Sequence, residues 1–79
     1  MKKEEFLDNI AEILAIDDQI LKNTSPELVF LNDFDDWDSI AFLEISVLFE
    51  SQLKIFPNPE DIKSLATLKD LLNLGKIHD

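Results

Sequence analysis

The sequence has no cysteine and no arginine, and it contains a single glycine and a single histidine. The lack of cysteine excludes disulfide bonds and thiolate metal sites. The one histidine, His78, lies near the end of the sequence, where fraying is the default. A serine nucleophile needs a well-placed base and an orienting partner, and neither is evident here. We therefore expect that the protein is not an enzyme.

Long apolar runs are also missing. No stretch approaches the ~18 residues that a membrane-spanning helix requires, and no basic segment followed by an apolar one opens the sequence. We therefore expect no membrane insertion and a cytoplasmic location. A chain of 79 residues, 46% of them hydrophobic, has room for one small domain, which we expect to be a monomer.

The charge is strongly one-sided, with 17 acidic residues against 7 lysines and a formal net charge of -10. Nucleic-acid binding is disfavoured, because it needs cations that displace counterions from phosphates. Anionic membrane surfaces are disfavoured for the same reason. The charge suits a partner with a basic patch, reached by electrostatic steering, or else it serves only to keep a small protein soluble.

The apolar spacing and the capping signals predict an all-α fold, a small bundle of three principal helices and one short one. Residues 4 to 16 show a helical apolar period. Asn58 with Pro59, and Thr67 with Asp70, form helix-start patterns, and Gly75 is expected to end the last helix. The predicted helices cover about 3–16, 39–54, 59–64 and 67–75.

The segment 17–38 shows no sustained period and is predicted to be a long loop, an unusual feature in a small domain and often a functional one. Four of its apolar residues are predicted to pack against the core: Leu28, Phe30, Leu31 and Phe34. Its crowded aspartates, Asp33, Asp35, Asp36 and Asp38, are predicted to bind a divalent cation loosely, since this would relieve their mutual repulsion.

The second helix is apolar nearly all round, which in so small a bundle leaves one side uncovered. The line predicted to face the core comprises Phe42, Ile45, Phe49 and Leu53. The line predicted to face a partner comprises Ile40, Leu43 and Val47, flanked by Asp36, Glu44 and Glu50. The alternative is that both lines belong to the core.

Ser39 opens this helix in the stretch DDWDSIAFLEIS, residues 35 to 46. Serine and aspartate are both common at helix starts, because their side chains accept bonds from free backbone N–H groups. Asp38 already fills that position, so Ser39 is predicted to stand at the first helical position with its hydroxyl free. A phosphate on that oxygen would lie beside the positive end of the helix dipole.

These features together resemble an acyl carrier protein of the phosphopantetheine-binding family over the whole chain. Asp38-Ser39-Ile40 stands where the family usually has Asp-Ser-Leu, and Trp37 and Ala41 around it are similar to stand-alone carriers of specialised pathways. The resemblance implies that a phosphopantetheinyl transferase attaches 4'-phosphopantetheine from coenzyme A to Ser39. It implies that Asp38 supports the metal-assisted transfer, and that Ile40 and Glu44 contact partner enzymes.

The function implied is the shuttling of acyl groups as thioesters between biosynthetic enzymes, in lipid (including fatty acid), surface-polysaccharide or polyketide-like pathways. Expected partners are acyl-loading, acyl-transfer or synthase enzymes with basic and apolar docking patches. A stand-alone peptidyl or aminoacyl carrier is the alternative within the family. An unmodified acidic protein-interaction module is the alternative outside it.

Some positions of the second helix depart from the fatty-acid carriers of this family, which often stack acids there. This sequence has Ala41, Ser46, Ser51 and Gln52 at such places, which predicts dedicated, more hydrophobic docking. The six phenylalanines also predict a small interior cavity and therefore a short or partly exposed cargo.

Overall fold

The computed structural model describes residues 1–78, and its regular structure there is helical, as the sequence predicts. An isolated antiparallel bridge between Phe30 and Thr67 is the only β-type pairing in these residues. None of their helices combines the length and the apolar character that crossing a membrane would require. The five α-helices are α1 (Lys3–Leu14), α2 (Asp18–Lys22), α3 (Ser39–Leu48), α4 (Pro59–Lys63) and α5 (Leu68–Leu74).

The first predicted helix ends earlier than expected, at Leu14. Ala15 adopts a left-handed conformation with φ 56° and ψ 44°, and its N–H points to the carbonyls of Ala11 and Glu12. Such a residue is a common helix terminator and is usually glycine. No residue at this position signals the end of the helix, because alanine is the best helix former.

The second predicted helix matches α3 and its continuation. After Leu48 the chain forms one π-helical turn, Phe49–Leu53, which ends at Lys54 with φ 57°. Together they cover the expected range 39–54. The two later predicted helices correspond to α4 and α5, each shorter than expected at one or both ends.

The prediction of a continuous loop over 17–38 is wrong, because the segment contains α2 and two 3₁₀ turns, Pro26–Leu28 and Leu31–Asp33. Asp17 caps α2 by accepting the Gln19 N–H at 2.9 Å. Five residues are too few to show a helical period, so the sequence pattern does not reveal this helix.

Lys22 makes two ion pairs, one with Asp8 of α1 and one with Asp18 of its own helix α2. Its Nζ lies 2.6 Å from an Asp8 carboxylate oxygen and 2.9 Å from one of Asp18. The hydrogen bonds that Lys22 donates to these carboxylates, that to Asp8 first, raise the pKa of Lys22 above its ordinary value. The hydrogen bond that Asp18 accepts from Lys22 lowers the pKa of Asp18.

The packing predicted for the loop is only half correct. Leu31 is buried and Phe34 half-buried, whereas Leu28 and Phe30 are 63% and 51% exposed. Val29 and Phe30 are extended, and the segment 29–31 pairs with 66–68: the Leu31 N–H donates to the Ala66 carbonyl at 3.0 Å, and the Leu68 N–H donates to the Val29 carbonyl at 2.9 Å. Successive side chains of an extended segment point to opposite sides, so Val29 and Leu31 enter the core and Phe30 does not.

The capping pattern predicted at Thr67 is confirmed. The Asp70 N–H donates to Thr67 Oγ1 at 3.3 Å, and the Thr67 N–H donates to Asp70 Oδ2 at 3.1 Å. At the start of α4, the Asn58 N–H donates to Asp61 Oδ2 at 3.1 Å. At each of these two helix starts, an aspartate therefore accepts a hydrogen bond from a backbone N–H that would otherwise lack a partner.

Gly75 follows the last helix as predicted, but for another reason. It has a right-handed conformation, φ -80°, and the left-handed residue is Lys76, φ 56°. A Cβ on Gly75 would lie 3.3 Å from side-chain atoms of Ile77, Leu53 and Phe49. Close packing, and not backbone freedom, is what requires glycine here.

The core lies between α1, α3 and the later helices. Phe6 of α1 and Phe49 of the π turn are fully buried, with ring centroids 5.8 Å apart. Phe42, Ile45 and Phe49 are buried and Leu53 is half-buried against the core, so the predicted core line of the second helix is confirmed.

Candidate functional site

Asp38 caps α3 and leaves Ser39 free of that role. Its backbone is extended, and its Oδ1 accepts the N–H groups of Ile40 and Ala41, both at 3.1 Å. Ser39 is the first residue of the helix and is exposed. Its hydroxyl is therefore accessible at the positive end of a ten-residue helix.

Trp37 anchors the turn that precedes Ser39. It is 9% exposed, and its ring meets that of Phe42 edge to face, with centroids 4.9 Å apart and an interplanar angle of 75°. The two residues stand just before the cap and at the fourth helical position, the spacing of a hydrophobic staple, which fixes how a chain enters a helix. The spacing of Trp37 and Phe42 around the cap is a signal in the sequence that could have predicted this contact.

A cleft of about 630 Å³ opens beside Ser39, a size typical of small-molecule sites. Trp37 and Phe42 contribute apolar surface, and Lys63 is the one cationic residue in its lining. Sequence reasoning missed the contribution of α4 and the loop, because nothing in a local pattern shows which distant residues fold against Ser39. The lining residues are Asn32, Trp37, Ser39, Phe42, Pro59, Glu60 and Lys63.

The second apolar line of α3 is exposed, as the sequence predicts. Ile40, Leu43 and Val47 are 67%, 58% and 55% exposed. Large apolar side chains grouped on one helix face are typical of an interaction surface. We call these three residues the α3 face.

Acidic residues lie along the side of the α3 face that meets α1. Two shallow clefts run there, of about 420 and 190 Å³. Glu44 lines both of them, Asp36 and Asp38 line the smaller, and Glu12 of α1 lines the larger. Glu50 is exposed in the π turn and lines neither cleft. Glu12 was not predicted as part of this surface.

The predicted divalent site is not formed. In residues 1–78 no group of three or more His, Asp or Glu side chains lies close enough together to hold a metal ion. Asp33, Asp35, Asp36 and Asp38 therefore do not converge. One reason is that the Asp38 carboxylate turns to the N–H groups of α3.

Comparison of the chain with known protein families, with curated proteins and with solved structures gave no match.

Proposed function

We propose that this chain is a carrier protein of the acyl-carrier type, with 4'-phosphopantetheine on Ser39, and that it shuttles acyl groups as thioesters between biosynthetic enzymes. The observation that carries the proposal is that Ser39 is exposed and lines a cleft, while Asp38 and not Ser39 caps the helix. In a carrier-type bundle, α1, α3, α4 and α5 would be the four family helices and α2 an addition.

The attachment step needs no base from this chain. The Ser39 oxygen would attack the phosphorus that bears the pantetheine of coenzyme A, and 3',5'-ADP would leave. The hydroxyl proton would go to a group of the transferase, and the product is a phosphodiester. Asp38 would help to place the metal ion of that complex, and the N-terminal end of α3 would favour the new negative charge.

The α3 face and the acids beside it would contact the partner enzymes. Ile40, Leu43 and Val47 offer apolar surface, while Asp36 and Glu44 share a cleft edge with Ile40. A partner with an apolar patch rimmed by lysine or arginine would be complementary. Exposed charge pairs are screened by salt, so these contacts would be weak and reversible, as a shuttle requires.

We further propose a short or partly exposed cargo. The large aromatic side chains of the core, Phe6 and Phe49, are fully buried, and the cleft at Ser39 opens to solvent. A long acyl chain fully enclosed in the bundle, observed in the loaded protein, would contradict this proposal.

The decisive experiment incubates the protein with coenzyme A and a broad-specificity phosphopantetheinyl transferase. The intact mass should rise by one phosphopantetheine, and Ser39→Ala should abolish the gain. Ser46→Ala and Ser51→Ala are matched controls on the same helical segment and should still be modified. If the wild-type mass does not change, Ser39 is not an attachment site.

An unmodified interaction module is the second candidate, because the α3 face is exposed whether or not Ser39 carries a group. In that case Ser39→Ala should leave partner binding and biological function intact. A peptidyl or aminoacyl carrier would pass the attachment test and would differ in the enzyme that loads it.

A further inference from the structure

The cleft beside Ser39 is lined by a lysine that forms no ion pair with the described acidic residues. Lys63 lies on α4, and within residues 1–78 it makes no ion pair. Lys22, by contrast, pairs with two aspartates. In a chain with a formal net charge of -10, an unpaired cation in this cleft is available to an anionic ligand.

The wall of the same cleft contains a buried donor without an acceptor. Trp37 is about nine-tenths buried, and its Nε1 has no hydrogen-bond partner in the described part of the chain. A buried donor left in this state is costly, and a ligand in the cleft that met it through a shift of the indole ring would remove that cost. Lys63 and Trp37 are independent observations about one cleft.

We infer that the phosphopantetheine arm lies in this cleft, with its phosphodiester beside Lys63 and its pantetheine part against Trp37 and Phe42. The inference rests on the proposed attachment to Ser39. The arm offers what the lining lacks: an anion for Lys63 and amide carbonyls as acceptors for Trp37 Nε1. Glu60 would repel the phosphate, but its carboxylate can accept the amide N–H groups of the arm further along.

Electrostatics sets the direction of the arm from Ser39. Asp36 and Asp38 lie on the other side of the attachment point, in the cleft lined by Ile40, and repel a phosphodiester, whereas Lys63 attracts it. The arm therefore turns toward α4 and leaves the α3 face uncovered. A partner enzyme can then dock on the α3 face before it draws the arm out of the cleft.

Trp37 is the only tryptophan of the chain, so its indole N–H gives a unique NMR signal that reports on the cleft. The test compares ¹⁵N-labelled protein before and after loading with phosphopantetheine, with loading verified by intact mass. We expect loading to shift the Trp37 indole signal. Raising the salt to about 1 M should reverse much of that shift, since the screening length falls to about 3 Å.

Three variants isolate Lys63. Lys63→Gln should lose about half or more of the shift, because the charge that holds the phosphodiester is gone. Lys63→Arg should keep it, and Lys69→Gln, an exposed lysine outside the cleft, should behave as wild type. Circular dichroism confirms that each variant is folded.

Two results would overturn the inference: an indole signal that does not move on loading, or an equal shift in the Lys63→Gln protein. In both cases the mass still records the modification, so the proposed attachment to Ser39 would stand. Failure to gain mass would instead refute the attachment itself, and the inference with it.

Discussion

Ile40 and Ile45 lie five residues apart on α3, and the same substitution at each should have very different effects. Ile45 is fully buried, and Ile→Ala at such a site costs about 2–5 kcal/mol of the free energy of unfolding. Ile40 is 67% exposed, so only a third of its surface is withdrawn from water. Its truncation therefore costs about 0.5–1 kcal/mol in burial.

Helix propensity lowers both costs alike, since alanine is better than isoleucine in a helix by a few tenths of a kcal/mol. Ile40→Ala should thus be nearly neutral, while Ile45→Ala should lose at least about 1 kcal/mol more. For a domain of this size, that difference is a gap of at least about 4 °C in melting temperature.

Urea unfolding followed by circular dichroism measures both free energies. The second measurement is kcat/KM of a partner enzyme that acts on the loaded protein. Ile40→Ala should lower it while the protein stays folded, because the α3 face loses an exposed apolar contact.

If Ile40→Ala lowers the free energy of unfolding as much as Ile45→Ala does, the assignment of the two faces is refuted, since both apolar lines would then belong to the core. A stable Ile40→Ala protein with unchanged partner kinetics would leave the fold intact and refute the docking role of Ile40.

Three further results are expected. Ala15→Gly should raise the melting temperature, because glycine removes about 1 kcal/mol of left-handed strain, whereas the same change at Ala41, inside α3, should lower it. Glu44→Lys should weaken partner kinetics without loss of helicity by circular dichroism. Because folding lowers the pKa of Asp18, its ion pair stabilises the folded state above pH ~4, and this contribution is lost as the pH falls through the folded-state pKa. Lys22→Met should reduce the loss, which is measured by following the melting temperature as the pH is lowered.

The sequence predicted those parts of the fold that local pattern determines. The two lines of α3 and the capping residues Asp38 and Thr67 follow from periodicity and from the chemistry of free backbone N–H groups. The end of α1 could not be predicted in this way, since Ala15 adopts a left-handed conformation and alanine is not typical of that position. Short α2 was missed because five residues show no helical period, and because one of the two ion pairs of Lys22, that with Asp8, depends on the tertiary fold.

The candidate site, too, could be predicted only in part from the sequence. Ser39 and its release by Asp38 are properties of neighbouring residues and could be predicted. Lys63 enters the cleft only because α4 packs against α3, and no local spacing connects it with Ser39. The aspartates of the loop are close in sequence, but in residues 1–78 they do not form a cluster that could hold a metal ion, and the Asp38 carboxylate binds the N–H groups of α3 instead.

The contact between Trp37 and Phe42 has a consequence for recognition. The edge-to-face contact of the two rings fixes how the chain enters α3, so this turn is ordered when the protein folds. Under the proposed attachment, an enzyme that modifies Ser39 would meet a pre-organised turn and would lose little conformational entropy on binding it. Its affinity would then depend on the shape of the turn, and most other surface positions would be free to differ between carriers that share one transferase.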